Sequence, residues 1–486
     1  MRFLLILLRL LHAQSDATGL TAADVQSVVA AASASVDSQA LDIAVTDRQG
    51  NILAVFRKNA VSATVTGNFG VATQTDDLAV GLARTAAFFS NNQAPLSSRT
   101  VRFISGVHFP PGIAYTSNGP LYGIENSNRG CSLNVDFLRG KAVPPATAID
   151  GTTPGTGVVT GKTDPGDSNQ TVVNPGGVPL FKNGVLVGGV GIAGPPSAVA
   201  EFAAYSGAVG AGFGANPAPP GVVVLNGISL PFVQQTTRPG GSGVGAFEGN
   251  FVIGPTGSPG PPPDGYLAGP AAGPQGGLSS ADVDGIIQAV IAEANQTRAV
   301  LRLPDGSRGR FAISVADLDG NIIGLYRMSD STMFSVDVAV AKSRNVIYFS
   351  GGATANLMGI PARTAVTNRT IGFGAQPFYP PGINYTSLGP FFNLYRFDTM
   401  HPCTQGDQTA NPNQNGVVFF PGSAPLYRNG VLVGGLGVSG DGVDQDDFVA
   451  AAGAANFAAP PTIRADQIII RGERLPYWSF PRNPTL

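Results

Sequence analysis

Phe109-Pro-Pro-Gly-Ile-Ala-Tyr-Thr-Ser-Asn-Gly-Pro120 returns 270 residues later as Tyr379-Pro-Pro-Gly-Ile-Asn-Tyr-Thr-Ser-Leu-Gly-Pro390. Working outward, Val45-Thr-Asp-Arg-Gln-Gly-Asn51 returns at the same offset as Val315-Ala-Asp-Leu-Asp-Gly-Asn321. On the other side, Pro179-Leu-Phe-Lys-Asn-Gly-Val-Leu-Val-Gly-Gly189 returns 246 residues on as Pro425-Leu-Tyr-Arg-Asn-Gly-Val-Leu-Val-Gly-Gly435. Solenoid repeats are about 20–50 residues long, so a period of this size indicates a duplicated globular domain. Such a chain descends most simply from a homodimer of one domain.

The repeat sets the organisation. Copy one spans 20–235, copy two 278–486, and a Gly/Pro-rich linker occupies 236–277. Each copy opens with a capped helix: Thr21 or Ser279 as N-cap, with Asp24 or Asp282 in the first turn. Val25, Val28 and Val29, and Val283, Ile286, Ile287, Val290 and Ile291, then follow helical spacing. A strand pair turned at Asp319-Gly320 comes next, then a helix over 77–89 or 335–349. Long inserts follow at about 90–177 and 351–423. A hairpin turned at Asn183-Gly184 or Asn429-Gly430 closes the sheet, then a third helix and a last strand at 223–231 or 468–476. The paired glycines after each hairpin predict close backbone packing. The expected fold is α+β: two tandem antiparallel sheets flanked by helices, arranged as a pseudo-twofold dimer.

Hydrophobic content of 43% is enough for two cores, whereas net charge −2 gives no electrostatic footprint for nucleic acid or an anionic membrane. Residues 1–15 read as a short export signal, with a basic residue, an apolar run and small residues at its end. That run is too short to span a bilayer, and a secreted or periplasmic location follows. The two cysteines, Cys131 and Cys403, hold nearly equivalent positions 272 residues apart. Equivalent residues can meet at a twofold axis and oxidise in an exported protein, so an interdomain disulfide is one reading and two separate buried thiols the other.

The second copy also carries Tyr326-Arg-Met-Ser-Asp330, Ser335-Val-Asp-Val-Ala-Val-Ala-Lys-Ser-Arg344 and Gly430-Val-Leu-Val-Gly-Gly-Leu-Gly-Val-Ser-Gly440, with Asp446 soon after. Together with Val315–Asn321 this resembles the GlcG/HbpS-like haem-binding (haem-degrading) family, over most of both copies except the inserts. The resemblance implies a central antiparallel sheet flanked by helices, dimers or higher oligomers, and haem binding in some members. Copy one departs from it: Leu82 stands where copy two has Lys342, and Arg57-Lys58 replaces the Arg-Met pair, although Arg84 matches Arg344.

Haem iron takes an imidazole, thiolate, thioether or phenolate. His108 and His401, both in the inserts, are therefore the first candidate ligands, against ordinary loop histidines. Met328 is a further candidate, against core packing. Arg327, Lys342 and Arg344, with Arg57 and Arg84, are candidates to receive propionate carboxylates, against pairing with Asp330, Asp337 or Asp77. Asp441, Asp444, Asp446 and Asp447 match no calcium-loop spacing and read as helix capping. No Cys-x-x-Cys-His, nucleophile elbow, metalloprotease pair or phosphate-binding loop occurs. The leading expectation is an exported small-ligand, first of all haem, binding protein that takes a small-molecule partner and can homo-oligomerise. Two alternatives stand beside it: a scaffold that has lost its cofactor, and an enzyme acting on a small organic acid. Whether the chain is an enzyme stays open.

Overall fold

The computed structural model describes residues 19–134, 148–151, 154–215, 223–352 and 356–485. The export-signal reading of 1–15 falls outside them. Helix α1, Ala22–Ala34, starts where the sequence places it: Thr21 Oγ1 accepts from Asp24 N and Asp24 Oδ2 accepts from Thr21 N, a reciprocal cap. Its counterpart α5, Ser280–Ala294, is capped identically by Ser279 and Asp282. Strands β1, Asp42–Asp47, and β2, Ile52–Arg57, pair antiparallel, as do β7, Phe311–Ala316, and β8, Ile322–Arg327. The turn chemistry is the same in both copies. Asp47 Oδ1 accepts from the Gln49 and Asn51 amides, and Asp317 Oδ1 from those of Asp319 and Asn321. Gly50 and Gly320 supply the positive φ that closes each turn.

Helix α2, Thr75–Phe89, and helix α6, Phe334–Ser350, follow; the closing hairpins are β3–β4, Gly177–Lys182 and Val185–Ala193, and β9–β10, Ser423–Arg428 and Val431–Gly440. Between helix and hairpin lie α3, Ser98–Phe103, in the first insert and α7, Asn368–Gly374, in the second. Helices α4, Ser197–Gly210, and α9, Val443–Gly453, complete the copies. The glycine pairs do what their sequence predicts. A side chain on Gly435 would run into the Ser343 carbonyl, and one on Gly189 into that of Ala83, because α6 and α2 lie directly on the sheet.

The segment read as a linker is more than that. Asn250–Ile253, β5, pairs with β2, and Gly265–Ala268, β6, pairs with β8. Each sheet thus has five strands, ordered β3-β4-β1-β2-β5 and β9-β10-β7-β8-β6, and the order is the same in both halves. Phe251 and Tyr266 supply the strand-forming side chains, which the surrounding Gly and Pro obscure in composition. The expected last strands do not join these sheets. Asn226-Gly227 and Arg471-Gly472 turn each back on itself as a two-residue ribbon.

Helices α1 and α4 cover one face of the first sheet and α2 the other; α5, α9 and α6 do the same in the second. One core runs through both halves, joining Phe88 and Phe89 to Phe334 and the buried face of α6. The Phe89 and Phe334 rings stack at 4.1 Å. The inserts also meet: Tyr122 stacks on Tyr395 at 5.0 Å, Tyr115 lies against its equivalent Tyr385, and Cys131 is bonded to Cys403. Among the described residues no helix is long and apolar enough to cross a membrane.

Candidate functional site

The cations singled out in the sequence are buried and mostly engaged with the chain itself. Arg344 Nε donates to Gly320 O at 3.0 Å, and its remaining nitrogens reach Ser132 O, Leu133 O and Asn415 Oδ1. Arg84 Nε makes the matching bond to Gly50 O at 2.9 Å. Burial pulls both guanidinium groups down to about 10. Arg327 donates to Pro263 O and Ser331 O, and burial, with Arg48 nearby, brings it down to about 9. Lys342 donates to Val438 O at 2.7 Å and Asp446 Oδ2 at 3.0 Å, above the Phe420 ring. Arg57, partly exposed, grips Asp76 with two bonds of 2.5 Å. Beside that pair, burial and the Asp76 charge push the Asp42 carboxyl up to about 9.

His108 is buried with both ring nitrogens occupied. Asn384 Oδ1 accepts from Tyr115 N, which fixes the amide and leaves its Nδ2 to donate to His108 Nε2 at 3.1 Å. His108 Nδ1 then donates to Thr116 O at 3.0 Å. No lone pair faces outward, so this ring ties the two inserts together. His401 is exposed at the end of α8, Phe392–Met400, bonded to Phe397 O and stacked on the Phe397 ring. Met328 packs in the second core, 4% exposed. The four aspartates do not cap α9, whose N-cap is Gly442. Each pairs with a cation instead: Asp441 with Arg302, Asp444 and Asp447 with Arg369, and Asp446 with Lys342. Among the described residues no group of three or more His, Cys, Asp or Glu is placed to hold a metal.

A cavity of about 1060 Å3 lies elsewhere, in the second half. Its walls are the Asp319-Gly320 turn, the C-terminal part of α6, the insert around Gln405–Asn413 and the β9–β10 turn at Gly430. Ile347, Leu432 and Ile463 give its lining apolar surface, and Tyr348, Gln408 and Arg363 give it polar groups. Tyr348 Oη lies 3.0 Å from Asp407 Oδ1, and burial with that carboxylate raises the phenol above its ordinary range. Burial pushes the Tyr427 phenol up to about 12. Arg363 stands exposed at the rim in a left-handed conformation, φ 63°, with no hydrogen bond or ion pair to a described residue. Of the sequence candidates, only Arg344 lines this space. His108, His401, Met328, Arg327, Lys342 and Arg84 do not.

At the equivalent place in the first half, residues of the second half pack against the described residues. Arg48, at the position of Leu318, pairs with Asp330 at 2.6 Å, and Phe88, at the position of Tyr348, accepts from Met333 N through its carbonyl. Tyr348, Arg363 and Gln408 lie outside the family-like blocks of the second copy, so the reading of those blocks does not single them out in the sequence. The available signal is local: Tyr348 breaks an otherwise apolar match to Phe88.

Two antiparallel sheets, each covered on both faces by helices, with a roomy lateral cavity in the second half, define an α+β protein with space for a drug-sized molecule. Residues 278–455 match the family described as "Haem degrading protein HbpS-like", and this half of the chain is GlcG/HbpS-like. Three solved structures are similar to parts of the chain. PduOC in complex with heme is 21% identical, covering 37% of this chain and 94% of that one, TM-score 0.25. Klebsiella pneumoniae protein ORFY is 20% identical, covering 37% and 90%, TM-score 0.24. A double mutant of Streptomyces reticuli HbpS is 19% identical, covering 37% and 85%, TM-score 0.21. No curated protein matches.

Proposed function

We propose that the chain is a small-ligand-binding protein whose site is the cavity beside α6, and that its ligand is a planar, carboxylate-bearing molecule of tetrapyrrole size, haem first. The supporting observation is the cavity: about 1060 Å3, lined in part by Ile347, Leu432 and Ile463, with the exposed Arg363, which has no described partner, among its lining residues. Pockets for drug-sized ligands run to about 1000 Å3, so the macrocycle fits by volume, and Arg363 suits a propionate. The HbpS-like match to residues 278–455 favours haem over other planar acids.

The fit to iron is narrower. Among the described lining residues stand two phenols, Tyr348 and Tyr427, and no imidazole, thiol or thioether. Both phenols are held in the protonated form at neutral pH, so enclosure and carboxylate pairing, rather than a strong axial bond, carry affinity here. Bound haem would supply the redox chemistry of its iron. The chain's own residues bind the ring edge through Arg363, orient it against Ile347 and Leu432, and keep the Tyr348 proton on its phenol, beside Asp407.

Export is part of the proposal; the apolar stretch 1–15 and the Cys131–Cys403 bond support an oxidising compartment. So is a fused dimer of copies at 20–235 and 278–486, each completed by a strand from the segment between them, and the matching strand order supports it. Titration of the whole protein with haemin and, in parallel, metal-free protoporphyrin tests the reading. One equivalent of each should saturate, with similar affinity. Saturation at two equivalents, or a linear unsaturable change, would overturn it.

A further inference from the structure

A second cavity, about 480 Å3, lies between the halves. Its floor is apolar and shared: Phe89, Ile104 and Leu121 come from the first half, Phe334 and Phe420 from the second. One wall is the start of α9, carrying Asp441, Asp444 and Asp446. Arg482, the sole cation among the described lining residues, is exposed.

Asp446 is the informative residue. Its side chain is 3% exposed. Oδ2 accepts from Lys342 Nζ at 3.0 Å, whereas Oδ1 accepts from no described residue. A buried carboxylate oxygen without a donor is destabilising, so a donor from outside the chain is favoured there. Lys342 stands behind Asp446 and is already spent on Asp446 and Val438 O. The helix start at α9 attracts negative charge, but its own aspartates occupy that role.

The first half supplies the contrast. At the positions of Lys342 and Asp446 it has Leu82 and Ala200, which line a cavity of only about 180 Å3. An apolar pair therefore packs in this fold where the second half keeps a buried ion pair. Because replacing a buried pair by apolar groups is often neutral or stabilising, retention of the charges beside the larger cavity needs another reason.

We infer that the interdomain cavity binds a small organic cation, a protonated amine on an aromatic-sized apolar body, with Asp446 Oδ1 accepting from its ammonium group. The body lies on the shared phenylalanine floor and the ammonium faces the three carboxylates. The site is independent of the larger cavity, with which it shares none of its lining residues.

Trp478, the chain's one tryptophan, precedes the lining residues Ser479 and Phe480 and serves as a reporter. The whole protein is titrated with 2-phenylethylamine and, separately, with 3-phenylpropanoate, following tryptophan emission and heat. The amine should saturate at one equivalent and the carboxylate should not bind. The double variant Lys342→Leu with Asp446→Ala, which installs the first half's own pair, should bind the amine at least tenfold more weakly while haemin titration is unchanged. If that variant melts early, Asp446→Asn keeps the shape, loses the charge and should show the same tenfold loss. No binding of the amine, equal binding by the variants, or preference for the carboxylate overturns the inference.

Discussion

Arg363 and Asp42 are charged residues with opposite consequences. Arg363 is exposed at the cavity rim and contacts no described partner, so the folded chain does not depend on it. Arg363→Ala should leave the melting temperature within about a degree of wild type and weaken haemin and protoporphyrin by about fivefold, about 1 kcal/mol, as loss of one partly exposed charge pair. Parallel melting and titration curves check both halves of that statement. Asp42 is fully buried against Asp76, and its folded value of about 9 lies above its ordinary value of 3.8. A carboxyl raised by folding stabilises most while the unfolded chain is also protonated, and that contribution fades as pH rises from about 4 towards 9. Asp42→Asn mimics the protonated group at every pH. Denaturant midpoints should therefore fall between about pH 5 and 8 in wild type and much less in the variant, which gains on the order of 2 kcal/mol at about pH 8. Equal pH slopes would show that Asp42 is ionised in the folded chain.

At the scale of elements, packing of helix on sheet depends on missing side chains. Gly437 of β10 faces the Ala339 carbonyl and Ser343 amide of α6, so Gly437→Ala forces the two apart and should cost about 3 kcal/mol. Gly285, in the middle of α5, has nothing within 4 Å of where an added methyl group would stand, and Gly285→Ala should stabilise by roughly 0.5–1 kcal/mol. Thermal melting of the two variants should move in opposite directions; a loss at Gly285 would mean its face is covered in an oligomer. These elements are legible in the sequence because local chemistry declares them: the Thr21 and Ser279 caps, the Asp47 and Asp317 turns, the glycines of β4 and β10. Strands β5 and β6 are not, since each is four residues in Gly/Pro-rich chain and forms only because a sheet edge receives it. The cavity is less legible still. Asp319, Tyr348, Arg363, Gln408 and Gly430 come from five separate stretches, and nothing local marks them as neighbours. Arg327, Lys342 and Arg344 stand out in the sequence for their charge, yet their chemistry is spent on carbonyls, a side-chain amide and a carboxylate that hold α6 and the turns in place.

For the whole molecule, the question is whether two similar halves behave as one unit. Many contacts cross between them outside the strap that carries β5 and β6, and two of these differ in kind, one packed and one covalent. One is the core through Phe88, Phe89 and Phe334. The other is Cys131–Cys403, which closes a loop of 272 residues, and for that length chain entropy alone assigns about 5 kcal/mol. Arg48 and Arg302, one from each half, converge on Asp330 and add a buried charge contact to the phenylalanine junction. Cys131→Ser with Cys403→Ser should therefore lower stability in denaturant by several kcal/mol yet keep a single transition, because the shared core still couples the halves. Tryptophan emission reports the second half through Trp478, and far-ultraviolet dichroism reports both. Coincident curves in the variant mean that the phenylalanine core makes one cooperative body. Separated curves would mean that the disulfide alone joins two independently folding domains, and the cavity between them would then open on reduction.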